Sequence, residues 1–155
     1  MLWFQPPAIG DEEIEAVAET LRSGWLTTGP RAAELERRFA EYVQAEHVLA
    51  DASGTAALHL ALLAVGVGPG DEVITTPITW PATANVIVHA GATPVFADVR
   101  ESDLNIDPDR VAELLTGKTK AIVPVDLAGQ PADLDPLLAH GIPLVEDAAH
   151  AAESV

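Results

Sequence analysis

The chain has 155 residues, with 24 acidic against 8 basic side chains, a formal net charge of −16 and a pI near 4.3. An apolar content of 48% supplies enough surface to bury the core of one ordinary domain and excludes a disordered acidic tail. The charge argues against nucleic acid as the main partner, since phosphates repel such a surface, and the absence of cysteine removes disulfides, zinc fingers and thiol catalysis.

The opening string MLWFQPPAIGDEE lacks a basic n-region and breaks at Pro6-Pro7, so it does not read as a signal peptide. The longest apolar run, Ala56 to Gly68, is interrupted by His59 and Gly66 and falls short of the ~20 residues a membrane span needs. The expectation is a cytoplasmic protein with no membrane contact. A mean hydropathy of +0.20 is high for this charge, so much of the apolar sequence must face other protein.

Asp11 to Ser23 reads as a helix, because Ile14, Val17, Ala18 and Leu21 fall on one face. Gly10 or Asp11 can cap its start, acids fill its first turn and Gly24 ends it. The loop Gly24-Trp25-Leu26-Thr27-Thr28-Gly29 follows, and Pro30 suits the first turn of a second helix running to about Gln44. These elements form an N-terminal helical segment, residues 1–46.

From residue 47 to 155 the pattern is that of an α/β domain. Short apolar runs at 48–50, 72–76, 94–99, 119–125 and 142–146 predict strands. Stretches at 54–65, 81–90, 108–115 (capped by Asp107) and 133–139 predict helices. Strands alternating with helices imply right-handed crossovers and a mostly parallel sheet covered on both faces.

Ligands of such sheets bind beyond the carboxyl ends of the strands, so the residues there are the candidate site. Ser53-Gly54-Thr55 opens a helix with free backbone N–H groups and two hydroxyls; it is either a plain Ser N-cap or an anion cradle. Trp80 is either core filler or a plate for a flat ring. Asp147 ends an apolar strand and should be largely buried, which requires compensation; it either caps the following Ala-Ala-His segment or partners a protonated ring nitrogen. His150 stands three residues on, sharing a face with Asp147 if that segment is helical. Asp126 and Gln130 read as loop residues that satisfy backbone groups. The other histidines are scattered, which argues against a metal site. No Gly-x-Ser-x-Gly elbow and no Gly-x-Gly-x-x-Gly fingerprint occurs.

Several ordered strings complete the picture: GWLTTGP from Gly24, SGTAALHLAL from Ser53, GVGPGDEVI from Gly66 and TWPATAN from Thr79. GATPVFADV from Gly91, NID from Asn105, TKAIVPVDLAGQPADLD from Thr119 and VEDAAHA from Val145 follow. Together they resemble the DegT/StrS family of pyridoxal-phosphate-dependent sugar aminotransferases, across nearly the whole chain. The resemblance implies the mostly parallel sheet of the fold-type I large domain, with the third strand beside the second, then the fourth and fifth. It implies pyridoxal phosphate as cofactor, a nucleotide-linked keto sugar as substrate, an amino-acid donor and a homodimer. By family pattern Ser53, Gly54 and Thr55 hold the cofactor phosphate and Trp80 stacks on its ring. Asp147 pairs with the pyridinium nitrogen, His150 lies near the ring's phenolic oxygen, and the Trp25–Gly29 loop lies near the sugar.

The family's Schiff-base lysine lies beyond the Glu146-Asp147 pair, past Val155. The only lysines, Lys118 and Lys120, precede or open a strand at the sheet edge opposite the ligand. The expectation is therefore the N-terminal part of the enzyme, inactive and poorly folded by itself, with the 142–146 strand as an exposed edge. Two alternatives stay open at this level: a non-catalytic relative that binds cofactor or a partner subunit, and a sugar dehydratase of the same family.

Overall fold

The computed structural model describes residues 7–152 and 154; the opening string up to Pro6 lies outside them. The chain divides into two compact units, one up to Ala50 and one from Asp51 onward.

The first unit contains α1 (Asp11–Ser23) and α2 (Pro30–Val43). The start of α1 is closed by Glu13, whose Oε2 accepts the Gly10 N–H at 2.6 Å; this contact also holds the Glu13 carboxyl below the usual carboxylate range. Gly24 ends the helix at φ 74°, with its N–H on the Leu21 carbonyl. Pro30 occupies the first turn of α2, as its fixed φ predicts. Arg31 reaches across from α2 to Glu19 of α1 at 2.9 Å. Neither helix has a buried residue.

The second unit carries α3 (Gly54–Ala64), β1 (Glu72–Thr75), α4 (Pro81–His89), β2 (Thr93–Phe96), α5 (Pro108–Leu114), β3 (Thr119–Val123) and α6 (Leu134–Leu138). The sheet order is β2-β1-β3, all parallel. Single parallel bridges, Ile122 to Leu144 and Val125 to Asp147, lay the 144–147 segment along β3. That sequence of neighbours agrees with the expected order of the second to fifth strands.

Side-chain alternation along the strands sorts the core into two faces. Val73, Ala121 and Val123 pack with Leu62 of α3 and Val86 and Ile87 of α4. Ile74 and Ile122 point the other way, onto Val111 of α5 and Leu137 of α6. Ile74 and Ile122 have no exposed surface, and burying each contributes roughly 2–3 kcal/mol.

Two strand expectations need correction. Residues 48–50 form no strand; Ala50 instead donates its N–H to Glu36 Oε1 at 2.9 Å, and Leu49 is exposed. The 142–146 run forms isolated bridges rather than a full strand: Ile122 N–H pairs with Pro143 O and Val145 N–H with Ile122 O, but the ladder breaks at Pro124, which has no N–H to give the Val145 carbonyl.

Candidate active site

The carboxyl ends of β1, β3 and the 144–147 segment, together with the start of α3, enclose a cavity of about 490 Å³. Gly54, Thr55, Trp80, Asp147 and His150 line it, so five of the six sequence-predicted site residues converge there. Ser53 does not line it. Its Oγ accepts the Ala56 N–H at 3.2 Å, which makes it the N-cap of α3. With the cap seated on Ala56, the N–H groups of Gly54 and Thr55 stand at the open start of α3, and a Cβ added at Gly54 would meet nothing within 4 Å. The lining carries two carboxylates, Asp126 and Asp147, and neither Lys nor Arg. An anion at this end of the cavity is therefore met by backbone N–H groups and the helix dipole.

Trp80 immediately precedes Pro81, the first residue of α4, and is 77% exposed. That removes the core-filler reading: a wide apolar ring stands uncovered at the rim of a cavity. Asp147 is half-buried rather than largely buried. Its backbone is bound on both sides of the bridge to β3, through Asp147 N–H to Pro124 O at 2.9 Å and Asp126 N–H to Asp147 O at 3.1 Å. The segment after it is a turn, not a helix, with Ala151 N–H on Ala148 O at 2.9 Å. His150 therefore reaches the cavity by way of this turn and not by helical spacing.

Three residues near the cavity escaped the sequence reading. Thr83, fully buried on α4, donates its hydroxyl to Asp147 Oδ2 at 2.7 Å, and Thr79 lies 2.8 Å from the same hydroxyl. Asn105 is also fully buried. Its Nδ2 donates to the carbonyls of Gln130 and Pro131 at 3.0 and 2.8 Å, which pins the loop after β3. The signal for Thr83 was its place in the first turn of the helix that follows Trp80. For Asn105 the sequence carried no signal, because its partners lie 25 and 26 residues away.

Asp126 is 3% exposed and its Oδ1 accepts the Ala132 N–H at 2.9 Å, the backbone role expected of it. The carboxyl of Glu146 is raised above the usual carboxylate range, first by desolvation and then by the charge of Asp126 and a hydrogen bond with it. Gly129 lies in the same loop at φ 89°; a Cβ there would sit 3.1 Å from His150 O, so the loop and the His150 turn approach at a point only glycine fits.

Lys118 and Lys120 lie at the opposite end of the sheet. The Lys118 carbonyl accepts from Glu72 N–H at the start of β1, and the Lys120 side chain runs beside Gly66. Among the described residues no cluster suited to a metal ion occurs, and no helix is long and apolar enough to cross a membrane.

Residues 7–155 match the DegT/DnrJ/EryC1/StrS aminotransferase family. The spore coat polysaccharide biosynthesis protein SpsC of Bacillus subtilis is 56% identical over 152 residues, which cover 96% of this chain and 39% of that protein. The crystal structure of the aminotransferase TlmJ from Streptoalloteichus hindustanus superposes with a TM-score of 0.92 at 42% identity, over 98% of this chain and 43% of that one. NtdA from Bacillus subtilis, solved with bound cofactor PMP, superposes with a TM-score of 0.87 at 33% identity, over 92% of this chain and 35% of that one. The chain thus spans about two fifths of the length of the relatives it matches.

Proposed function

Since the chain belongs to the DegT/DnrJ/EryC1/StrS aminotransferase family, we propose that it supplies the cofactor-facing half of a pyridoxal-phosphate-dependent sugar aminotransferase. One observation carries this reading: a half-buried carboxylate, an uncovered tryptophan ring and an open helix start line a single cavity. These are the three contacts that a flat, phosphorylated, protonated pyridine requires, and the cavity is roomy enough for one. The substrate in this reading is a keto sugar carried on a nucleotide, the amino group comes from an amino acid, and the working enzyme is a cytoplasmic homodimer. The sugar assignment draws support from SpsC, a polysaccharide biosynthesis protein.

The cofactor, when bound, supplies an electron sink for the carbon that loses its proton. The residues of this chain hold it there. The Gly54 and Thr55 N–H groups, with the Thr55 hydroxyl, take the phosphate at the positive end of α3. Trp80 covers one ring face and keeps water from it. Asp147 offers a carboxylate to the ring N–H, and His150 stands at the rim within the same cavity. The lysine amine that this chemistry needs is assigned to sequence outside these 155 residues, because Lys118 and Lys120 lie at the far edge of the sheet.

Titration of pyridoxamine phosphate against tryptophan fluorescence tests the reading. Saturable quenching is expected, with most of its amplitude lost in Trp80→Leu and kept in Trp25→Leu. In the complete enzyme, Asp147→Asn should lower turnover by about 100-fold or more while weakening cofactor binding by less than about tenfold, as expected for a group whose contact matters most in the transition state. Absence of saturation at millimolar cofactor, or unchanged turnover in Asp147→Asn, would reject the assignment.

A further inference from the structure

Thr83 uses its hydroxyl in an unusual way. A threonine in a helix ordinarily satisfies its hydroxyl on the carbonyl three or four residues back. Thr83 instead donates to Asp147 Oδ2, 64 positions away, at 2.7 Å. A hydroxyl has one hydrogen, and a carboxylate oxygen only accepts. The 2.8 Å contact between Thr79 and Thr83 is therefore donated by Thr79, and the three groups form a directed chain from Thr79 through Thr83 to Asp147. Among the described residues the other carboxylate oxygen, Oδ1, has a long contact to Ala149 N–H at 3.4 Å, so Thr83 is the close donor that orients the group.

The chain is anchored where it matters. Thr83 has no exposed surface, and its own N–H bonds to the Trp80 carbonyl at 3.1 Å. One turn of α4 thus ties the aromatic plate to the carboxylate on the other side of the cavity. With neither Lys nor Arg in the lining, hydroxyl and backbone donors alone orient Asp147.

We infer that Thr83 is a positioning residue: resting on the aminotransferase reading above, it fixes the plane of the Asp147 carboxylate toward the cofactor's ring nitrogen, with Thr79 as the outer link of the relay. A purely structural threonine would tolerate an isosteric valine with no change at the ring.

The experiment uses pyridoxamine phosphate labelled with nitrogen-15 at the ring, bound to the full protein and followed by NMR. Thr83→Val removes the hydroxyl and keeps the shape. It should weaken affinity by no more than about threefold, because phosphate and stacking contacts are untouched, while the ring-nitrogen resonance moves toward its unprotonated position. Thr83→Ser should restore the wild-type resonance. An unmoved resonance in Thr83→Val overturns the inference. If that variant does not fold, Thr79→Val reports on the outer link, with a smaller displacement in the same direction expected and none overturning it. Asp147→Asn separates the two levels. A shift there without one in Thr83→Val sinks this inference alone, whereas no shift there, or no binding to the unsubstituted protein, sinks the aminotransferase reading and this inference together.

Discussion

Glu146 and Asp147 are adjacent in the chain and differ in surroundings. The Asp147 side chain opens on the cavity, while the Glu146 carboxyl meets Asp126, which is buried and already committed to the Ala132 N–H. Desolvation and that negative neighbour both raise the proton affinity of Glu146 in the folded state. The sign follows: a raised carboxyl favours the folded state at low pH, and this contribution is lost as pH rises through the raised value. Glu146→Gln should therefore raise the thermal midpoint at pH 7 and change it little at pH 4. The gain is at most about 1 kcal/mol, because solvent screens a residue that is exposed overall. Equal shifts at both pH values in thermal melts would contradict the pairing. Glu13 has the opposite sign: its lowered carboxyl stabilises the start of α1 above the usual carboxylate range, and that support fades as pH falls below it.

At the scale of elements, the segment after β3 owes its shape to one amide. Leu127, which lines the cavity, opens a short helical turn to Gly129 in which Ala128 and Gly129 both have positive φ, 53° and 89°. Such a backbone is held from outside. Asn105 does this with Nδ2 on the carbonyls of Gln130 and Pro131, and with Oδ1 3.4 Å from the Leu127 N–H. Asn105→Ala takes the donor from two part-buried carbonyls and empties a fully buried site, and should cost about 1–2 kcal/mol in denaturant unfolding. Asn105→Asp should cost at least as much, since a carboxylate cannot donate to either carbonyl; a loss below about 0.5 kcal/mol for both would reject the clamp. Helix limits were readable beforehand because caps are local: Pro30, Ser53, Pro81 and Asp107 stand where the sequence places them. Strand limits were not, because a strand exists only where a neighbour pairs with it. The apolar runs at 48–50 and 142–146 have strand composition and no continuous ladder.

For the whole molecule, charge is the dominant global quantity. All six arginines pair with acids: Arg22, Arg31, Arg37, Arg38, Arg100 and Arg110 each contact Asp or Glu. These pairs are mostly exposed and individually weak, and a net −16 persists after them. Self-repulsion of that size should respond to screening. Raising NaCl from about 0.1 M to about 1 M shortens the Debye length from about 10 Å to about 3 Å and should lift the thermal midpoint by about 3 °C. A fall in midpoint would mean that the arginine pairs outweigh the repulsion. The high mean hydropathy has a visible counterpart in the first unit, where Ile14, Val17, Leu21 and Leu35 are exposed on α1 and α2.

Periodicity and caps by themselves determined the order of helices and strands, the parallel α/β class and the sheet edge at which ligand residues gather. Each of these follows from interactions spanning a few positions, or from the topology that alternating strands and helices allow. The strings around Ser53, Thr79 and Val145 also carried the family. Tertiary structure alone decided how the individual groups are used. It kept Ser53 off the cavity wall, left Trp80 uncovered, gave Asp147 to Thr83 and set Asn105 on a loop 25 residues away. Hydrogen bonds between such distant positions depend on how the crossovers stack the helices on the sheet, and that geometry leaves no local mark in the chain.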